Sequence, residues 1–285
     1  MKTFYNQQFS QERDLYNQED IRLCHCRFEG EADGESALKE CRHIELEDCL
    51  MDLRYPLWHD SNVSLKRVEQ TPQCRAALWY SEHIKIDGCR LNGIKALREC
   101  SDIQINESTI ASLEFGWRCK HIEIHKSSIE SQYIFMMVEH LKAFDSTFNG
   151  KYGFQYMKNV YFNHCVFDTK DAFWHSQHVT VENSIIKGEY LGWYSENLTL
   201  INCTIIDIQP LCYCRHLKLV NCTMQDANFA FEYSDVDAQV VGSIDSVKNP
   251  LSGQICADDI KEVIITEDSI YPSKAKIKVL KRVCE

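Results

Sequence analysis

An aliphatic residue recurs at Ile84, Ile103, Ile122, Leu141, Val160, Val179, Leu198, Leu217 and Val236, eight successive steps of nineteen residues without a slip. Ile21, Ile44 and Val63 begin earlier copies at slightly longer intervals, and Ile260 begins a last, distorted one. Within each copy the first, third, sixth and eighth positions are apolar or small, as in Ile84, Ile86, Cys89 and Leu91, or Leu198, Leu200, Cys203 and Ile205. Alternation with a period of two marks a strand with one buried face. Asn183, Asn202 and Asn221 take the fifth place, where their short polar side chains suit a bend between strands. No helical period intervenes. Short strands at this fixed spacing predict an all-β, single-stranded parallel β-helix of about 12 coils, each one repeat long. Leucine-rich repeats have similar lengths, but their leucine spacing is missing. Solenoid ends expose strand edges that need covering. The expected layout is therefore a cap segment over 1–20, the β-helix over 21–268, and a Lys-rich cap or tail over 269–285.

Two columns of the repeat absorb most of the cysteines. Cys26, Cys49, Cys89, Cys165, Cys203 and Cys222 take the sixth position, alternating with Ser108, Ser127, Ser146 and Ser184, and Cys41, Cys100, Cys119 and Cys214 take the seventeenth. A column shared by Cys and Ser wants a small side chain at a crowded interior corner, and free Cys packs as a small hydrophobe. On that reading a Cys→Ser change at Cys89 or Cys203 is expected to cost about 1–3 kcal/mol, because a buried hydroxyl must find a partner. Metal ligation by Cys24, His25 and Cys26, or by Cys212 and Cys214, is the competing reading. No paired C-x-x-C motif accompanies them, so no metal site is expected. His43, His83, His121, His140, His178 and His216 share the nineteenth position with Asp20, Asn62, Asp102, Asn159, Asn197 and Asp235, a polar ladder at the turn before each strand.

All five tryptophans, Trp58, Trp79, Trp117, Trp174 and Trp193, fall at the fifteenth position, which also holds Lys39 and Arg98. The next column carries Glu40, His59, Tyr80, Glu99, Arg118, Tyr156, His175, Tyr194 and Tyr213. An interior column does not accept Lys and Arg, so part of this stripe faces a groove or solvent. One reading is a structural ladder of stacked rings. The other is a sugar-binding groove in which ring faces pack on pyranose C–H surfaces and charged groups take hydroxyls or carboxylates. Its substrate-binding set is Trp58, Trp79, Trp117, Arg98, Lys39, Glu40, Trp174, His175 and Trp193. Glycoside cleavage needs two carboxyl groups a few ångströms apart. Glu99 and Glu114 on adjacent coils are the catalytic candidates, with Arg118 to bind an acidic substrate and His59 to shuttle protons. A structural ion pair between Glu99 and Arg118 is the plainer alternative.

Composition narrows the partners. The chain has 285 residues, is 44% hydrophobic and 26% charged, and carries a net charge of −11, the profile of a folded chain that repels phosphate backbones. No nucleic-acid partner is expected, and no membrane partner, since no run of about eighteen apolar residues occurs. The polar N-terminus lacks the apolar core of a signal peptide, which points to the cytoplasm. No cofactor is expected. Ile201, Ile206 and Val220, apolar at outward positions of charge-poor coils, suggest a contact between two copies.

The segments GESALKE (34–40), LRYPLWH (53–59), GIKALREC (93–100), LEFGWRC (113–119), DAFWHS (171–176) and NPLSG (249–253) carry a resemblance that spans nearly the whole chain. The chain resembles an uncharacterised bacterial family of pectate-lyase-like β-helix proteins, family 3737 of the domains of unknown function. The resemblance implies a right-handed winding and brings neither an established activity nor established catalytic residues. The chain lacks the clustered Asp residues of polygalacturonases and a calcium-carboxylate cluster of the pectate-lyase kind. Two functions follow: binding or processing of an oligosaccharide or glycoconjugate through the aromatic and charged face, or a non-catalytic scaffold or protein-interaction module.

Overall fold

The computed structural model describes residues 1–31 and 34–280. The chain forms two compact units, Met1–Thr147 and Phe148–Glu285. Among the described residues every secondary-structure element is a strand, and no helix is long and apolar enough to cross a membrane.

In the first unit the principal strands are Lys2–Tyr5, Glu19–Cys24, Arg42–Glu47, Ser61–Lys66, Glu82–Asp87, Ser101–Asn106, Lys120–His125 and Glu139–Phe144. Neighbours pair in parallel, with Ile21 over Ile44, Ile44 over Val63, Val63 over Ile84, and Ile84 over Ile103. The second unit repeats the pattern from Lys158–Asn163 through Gln177–Glu182 and Glu196–Ile201 to Leu217–Gln225, again one repeat apart. This is a parallel β-solenoid, as the periodicity predicts. Its coils number more than the expected 12, for a physical reason at each end. Residues 1–20 form a coil of their own rather than an irregular segment, with Lys2–Tyr5 pairing with Glu19–Cys24 and Gln8–Phe9 pairing with Arg27–Phe28. At the other end Asp235–Lys248, Ser252–Ile264 and Lys276–Val279 pair in succession. Ile260 does not begin a copy: it pairs with Ile244 inside these long strands, whose register departs from the repeat. Of the Lys-rich tail, Lys281 and Arg282 lie outside the described residues.

The interior is built from the first, third, sixth and eighth positions. Ile84, Ile86, Cys89 and Leu91 are all buried, and the same holds for Leu198, Leu200, Cys203 and Ile205. In the second unit Phe148, Phe154, Phe162, Phe167 and Phe173 form one aromatic cluster, with Phe162 and Phe167 5.1 Å apart. Corners turn through left-handed residues. The fifth position is left-handed at His25, Asp48, Arg67, Glu107, Asn183, Asn202 and Asn221, and the nineteenth at Asp20, His43, Asn62, His83, Asp102, His121 and Asn159. Asn, Asp and His tolerate this conformation better than other side chains, which explains why the six nineteenth-position histidines belong to a turn ladder. His121 sits 3.3 Å from Asp102 and stacks on His140 at 5.1 Å. At the fifth position Asn221 donates to Asn202 at 2.8 Å and Asn202 to Asn183 at 3.0 Å, an amide ladder along the surface.

The sixth column is more than a packing column. Behind the left-handed corner the amides of Val68, Cys89, Ser108, Ser127 and Cys165 point into the interior, where the side chain at the same place on the next coil accepts them. Ser108 Oγ accepts the Cys89 amide at 3.0 Å and donates to the Asn106 carbonyl at 2.7 Å. Ser127 and Ser146 do the same one and two coils on, accepting the Ser108 and Ser127 amides at 3.1 Å. Cysteine serves less strongly: Cys89 Sγ takes the Val68 amide at 3.4 Å and donates to the Leu65 and Asp87 carbonyls. Burial pushes the Cys49 thiol up to about 12, so it stays a protonated donor. The expected cost of Cys→Ser is therefore corrected, since both partners a hydroxyl needs are already in place.

Cys89→Ser should change stability by less than about 1 kcal/mol, whereas Ser127→Ala, which strands the buried Ser108 amide, should cost about 1–3 kcal/mol. Urea unfolding of the two variants checks this; a larger loss for the cysteine variant would restore the packing explanation.

Candidate functional site

In the first unit the strands Leu57–Trp58, Leu78–Trp79 and Leu97–Arg98 pair in parallel, Trp79 beside both Trp58 and Arg98. Period-two alternation turns the three leucines inward, each at most 1% exposed, and leaves the Trp and Arg side chains on the outer face. Like residues therefore lie over like. The Trp58 and Trp79 rings stack at 5.2 Å with planes 3° apart. Arg98 continues the stack as a planar cation, its guanidinium carbon 5.2 Å from Trp79 and 5.2 Å from Trp117. Each indole N–H is spoken for: Trp58 donates to the Ala76 carbonyl at 2.6 Å, Trp79 to Lys95 at 3.0 Å and Trp117 to Tyr133 at 2.9 Å. In the second unit Trp174 and Trp193 stack at 5.5 Å, and their indoles donate to the Tyr190 and Gln209 carbonyls. The tryptophans are half-buried, with ring faces covered by one another or by Arg98.

The charged candidates form a network around Arg98. Its guanidinium lies 3.8 Å from Glu99 and 3.7 Å from Glu114. Lys95 reaches Glu114 at 3.5 Å, and Arg118 reaches Glu99 at 3.3 Å. Glu99, Glu114, Arg98 and Arg118 are thus brought together, each carboxylate with two cations. His59 is not: it lies two coils from Glu99, roughly 10 Å at the usual strand spacing, and stacks on Tyr80 at 5.0 Å. Lys39 and Glu40 sit 3.9 Å apart, and Glu40 accepts the Tyr16 hydroxyl at 2.6 Å. That bond raises the Tyr16 phenol above its ordinary value. Trp174, His175 and Trp193 belong to the second unit.

The sixteenth column carries a second, more exposed ladder. Its residues are left-handed at Glu40, His59, Tyr80, Glu99 and Arg118, and again at Tyr156, His175, Tyr194 and Tyr213. In the second unit Tyr156 stacks on His175 at 5.1 Å, His175 on Tyr194 at 4.9 Å, and Tyr194 on Tyr213 at 4.7 Å. Then the stack opens. Tyr213 and Tyr233 are 5.7 Å apart with planes at 48°, and Tyr271 meets Tyr233 edge-on at 5.4 Å. The result is a cleft of about 340 Å³ lined by Tyr194, Tyr213, Arg215, Tyr233, Leu251 and Tyr271. Sequence reasoning placed Tyr213 in its column and missed the rest. Tyr233 falls twenty residues after Tyr213 instead of nineteen, and Tyr271 comes from beyond the regular repeat. The extra residue is visible in the hydrogen bonding, where the Cys214 amide donates to Ser234 Oγ twenty residues on, against nineteen for the Cys89 amide and Ser108 Oγ.

Among the described residues no group of three or more His, Cys, Asp or Glu converges as metal ligands do. Cys212 Sγ makes its bonds to the Gln209, Pro210 and Phe229 carbonyls, and Cys26 Sγ to Cys24 and Phe4.

Fold and surface together define a parallel β-solenoid with stacked aromatic ladders on its outer corners. The chain belongs to the family described as "Protein of unknown function (DUF3737)", whose model matches residues 2–278. The likeness to pectate lyases and the right-handed winding rest on the resemblance alone. No curated protein matches the chain. Similar solved structures include HetL, a pentapeptide repeat protein involved in heterocyst differentiation regulation from the cyanobacterium Nostoc sp. strain PCC 7120, at 11% identity, covering 77% of this chain and 91% of that one with a TM-score of 0.26. Others are PfbA, a surface adhesin of Streptococcus pneumoniae, at 10% identity, 92% and 80% coverage and a TM-score of 0.30, and QnrB1, a plasmid-mediated fluoroquinolone resistance protein, at 9%, 76%, 91% and 0.21. At these TM-scores the likenesses carry no functional argument.

Beneath the tryptophan stripe the seventeenth column holds one carboxyl where its neighbours are Cys or Ser. Asp60 Oδ1 accepts the Cys41 amide at 2.7 Å, and its own amide donates to Ser81 Oγ at 3.0 Å. Its Oδ2 is buried without a partner among the described residues. Ser81 and Cys100 in the same column donate to the carbonyls two residues back, Trp79 and Arg98. Burial, opposed only in part by the Cys41 amide, pushes the Asp60 carboxyl up to about 8. The unfolded chain releases this proton near about pH 4. The folded state holds it more tightly, so the stabilisation is whole below about pH 4, falls as pH rises, and is lost above about 8. Denaturation midpoints between pH 5 and pH 9 should fall less steeply for Asp60→Asn, whose amide supplies a permanent donor, than for the parent. Equal slopes would remove Asp60 as the cause.

Proposed function

We propose that the protein is a non-catalytic binding solenoid that holds a saccharide chain along the tyrosine and histidine edge of its coils without cleaving it. The observation that carries this is the exposure of Tyr80, Tyr156 and Tyr194, at 46%, 45% and 45%, in a column of otherwise ordered, stacked rings. Large aromatics held at the surface at regular spacing are not needed to fill a core. Their outward edges present phenol hydroxyls and imidazole nitrogens at the strand spacing of about 4.8 Å, a row of donors and acceptors fixed before any ligand arrives. Rigid presentation of this kind lowers the ordering cost of binding.

Two features favour holding over processing. Cleavage of a glycosidic bond needs one carboxyl as proton donor and another as base or nucleophile, and both Glu99 and Glu114 are engaged by Arg98 and by a second cation. Stacking takes up both faces of Trp79 and one face each of Trp58, Trp117, Trp174 and Trp193, the surfaces best suited to a pyranose.

A panel of neutral and acidic oligosaccharides titrated by tryptophan fluorescence, with mass spectrometry of the same mixtures, tests the reading. Saturable binding without new products is expected, unchanged in Glu99→Gln and Glu114→Gln and weakened at least fivefold in Tyr80→Asn or Tyr194→Asn. Asn is chosen because it accepts the left-handed corner. Products that vanish in Glu99→Gln would establish an enzyme instead, and a panel with no binder at all would overturn the proposal.

A further inference from the structure

The cleft at Tyr213, Tyr233 and Tyr271 departs from the ladders in a way that suits a discrete ligand. Along the ladder neighbouring rings lie face to face, but here the 48° tilt between Tyr213 and Tyr233 and the edge-on approach of Tyr271 make a concavity of about 340 Å³. That volume is at the lower end for small-molecule sites and fits one sugar ring. Leu251 supplies an apolar wall, and Tyr271, 51% exposed, stands at the open side. Tyr213 is partly desolvated: burial, then the nearby Glu232 carboxylate, raise its phenol above the ordinary value. Glu232 is itself held by Lys248 at 2.9 Å, so it does not leave the cleft negative.

Arg215 is the second observation. In a chain of net charge −11, Arg13, Arg22, Arg27, Arg42, Arg54, Arg67, Arg98 and Arg118 have a carboxylate within 4 Å, while Arg75, Arg90 and Arg215 have none among the described residues, and of these three only Arg215 lines the cleft. Arg215 lines the cleft and has no such ion pair among the described residues, although Glu196 stands beside it on the preceding coil. An exposed guanidinium next to four tyrosines offers a forked donor pair for an anion at the rim of an aromatic pocket.

We propose that this cleft binds a pyranose carrying one anionic substituent, the ring packed against Tyr233 and Tyr271 and the anion on Arg215. The inference rests on the saccharide-binding reading and adds the site and the charge of the sugar. A carboxylate and a phosphate share the required chemistry, so glucuronic acid and glucose 6-phosphate are separate arms of the test, with glucose and inorganic phosphate as controls. Calorimetric titration of the full chain should give saturable binding of one or both acidic sugars, with glucose and inorganic phosphate each at least tenfold weaker. Arg215→Gln should lose at least tenfold for the acidic sugar while leaving glucose unchanged. Tyr271→Ala should weaken both, and both variants should keep the parent melting temperature because both side chains are exposed. Inorganic phosphate binding as tightly as the sugar phosphate would overturn the proposal, as would acidic-sugar affinity that neither variant changes. If oligosaccharides bind and Tyr80→Asn, outside the cleft, weakens them while no monosaccharide enters the cleft, this inference alone fails. If no saccharide binds at all, the broader reading fails with it.

Discussion

The structure depends on how the buried amide behind each left-handed corner is satisfied. A coil that turns sharply sends one backbone N–H into the interior, away from water, where an unpaired donor costs about 1–3 kcal/mol. The next coil supplies the acceptor through a short side chain at the same position, and that side chain passes its own proton to a carbonyl two residues back. Ser108, Ser127 and Ser146 show the chain of bonds in full, and Cys100 with Cys119 shows it in sulfur. Ala would break the relay, and it is interrupted where the buried Val68 takes the sixth position and the buried Val138 and Met157 take the seventeenth; between Cys26 and Cys222 the two columns otherwise hold Ser, Cys and, once, Asp. Asp60 obeys the rule only as a neutral acid, which is why burial there opposes its charge.

That restriction fixes what happens outside. Because the corner repeats at one position, the residues flanking it fall into register and stack whether or not the stack has a use. Aromatic rings stack on one another, and charged residues of opposite sign pair from coil to coil, as in Glu99 beside Arg118 or Lys120 beside Glu139. The tryptophan stripe is thus partly a consequence of the repeat, and its indole N–H bonds tie each ring to the backbone of the following coil. A regular ladder stabilises the surface but also closes it.

The solenoid was legible in the sequence because its two requirements, period-two burial and a small corner residue, act at fixed intervals and leave columns. The turn histidines were legible for the same reason. The first coil was missed since Lys2 and Phe4 occupy positions that are aliphatic elsewhere, and an end coil buries only one side of its strands. Cysteine was read as a hydrophobe because composition does not reveal a hydrogen bond; the serines sharing the column were the signal that a donor and acceptor are needed. Among the site residues, the meeting of Glu99, Glu114, Arg98 and Arg118 follows directly from the column arithmetic, while the separation of His59 follows from counting coils rather than residues. Tyr233 and Tyr271 were hidden because they lie where the count fails.

That last point bears on where function belongs in such a molecule. Regular repetition makes edges in which each side chain meets its counterpart at about 4.8 Å, and the concavity it leaves on the first unit, over Lys66, Asp87, Glu107 and His125, is lined by polar and charged groups. The aromatic-walled cleft instead accompanies a coil that breaks register, by an extra residue at a corner and strands of different length. In the second unit both occur together: one added residue displaces Tyr233, and the long strands that follow carry Leu251 and the segment with Tyr271 back against it. Side chains that continue a column are constrained by the neighbours they stack on, whereas those at the break are free of that constraint. Arg215 continues a column from Glu196 on the preceding coil and meets the break on its other side, whereas Tyr271 at the open side stands at the break itself, so its placement cannot be credited to the stacking rule that accounts for the tryptophans.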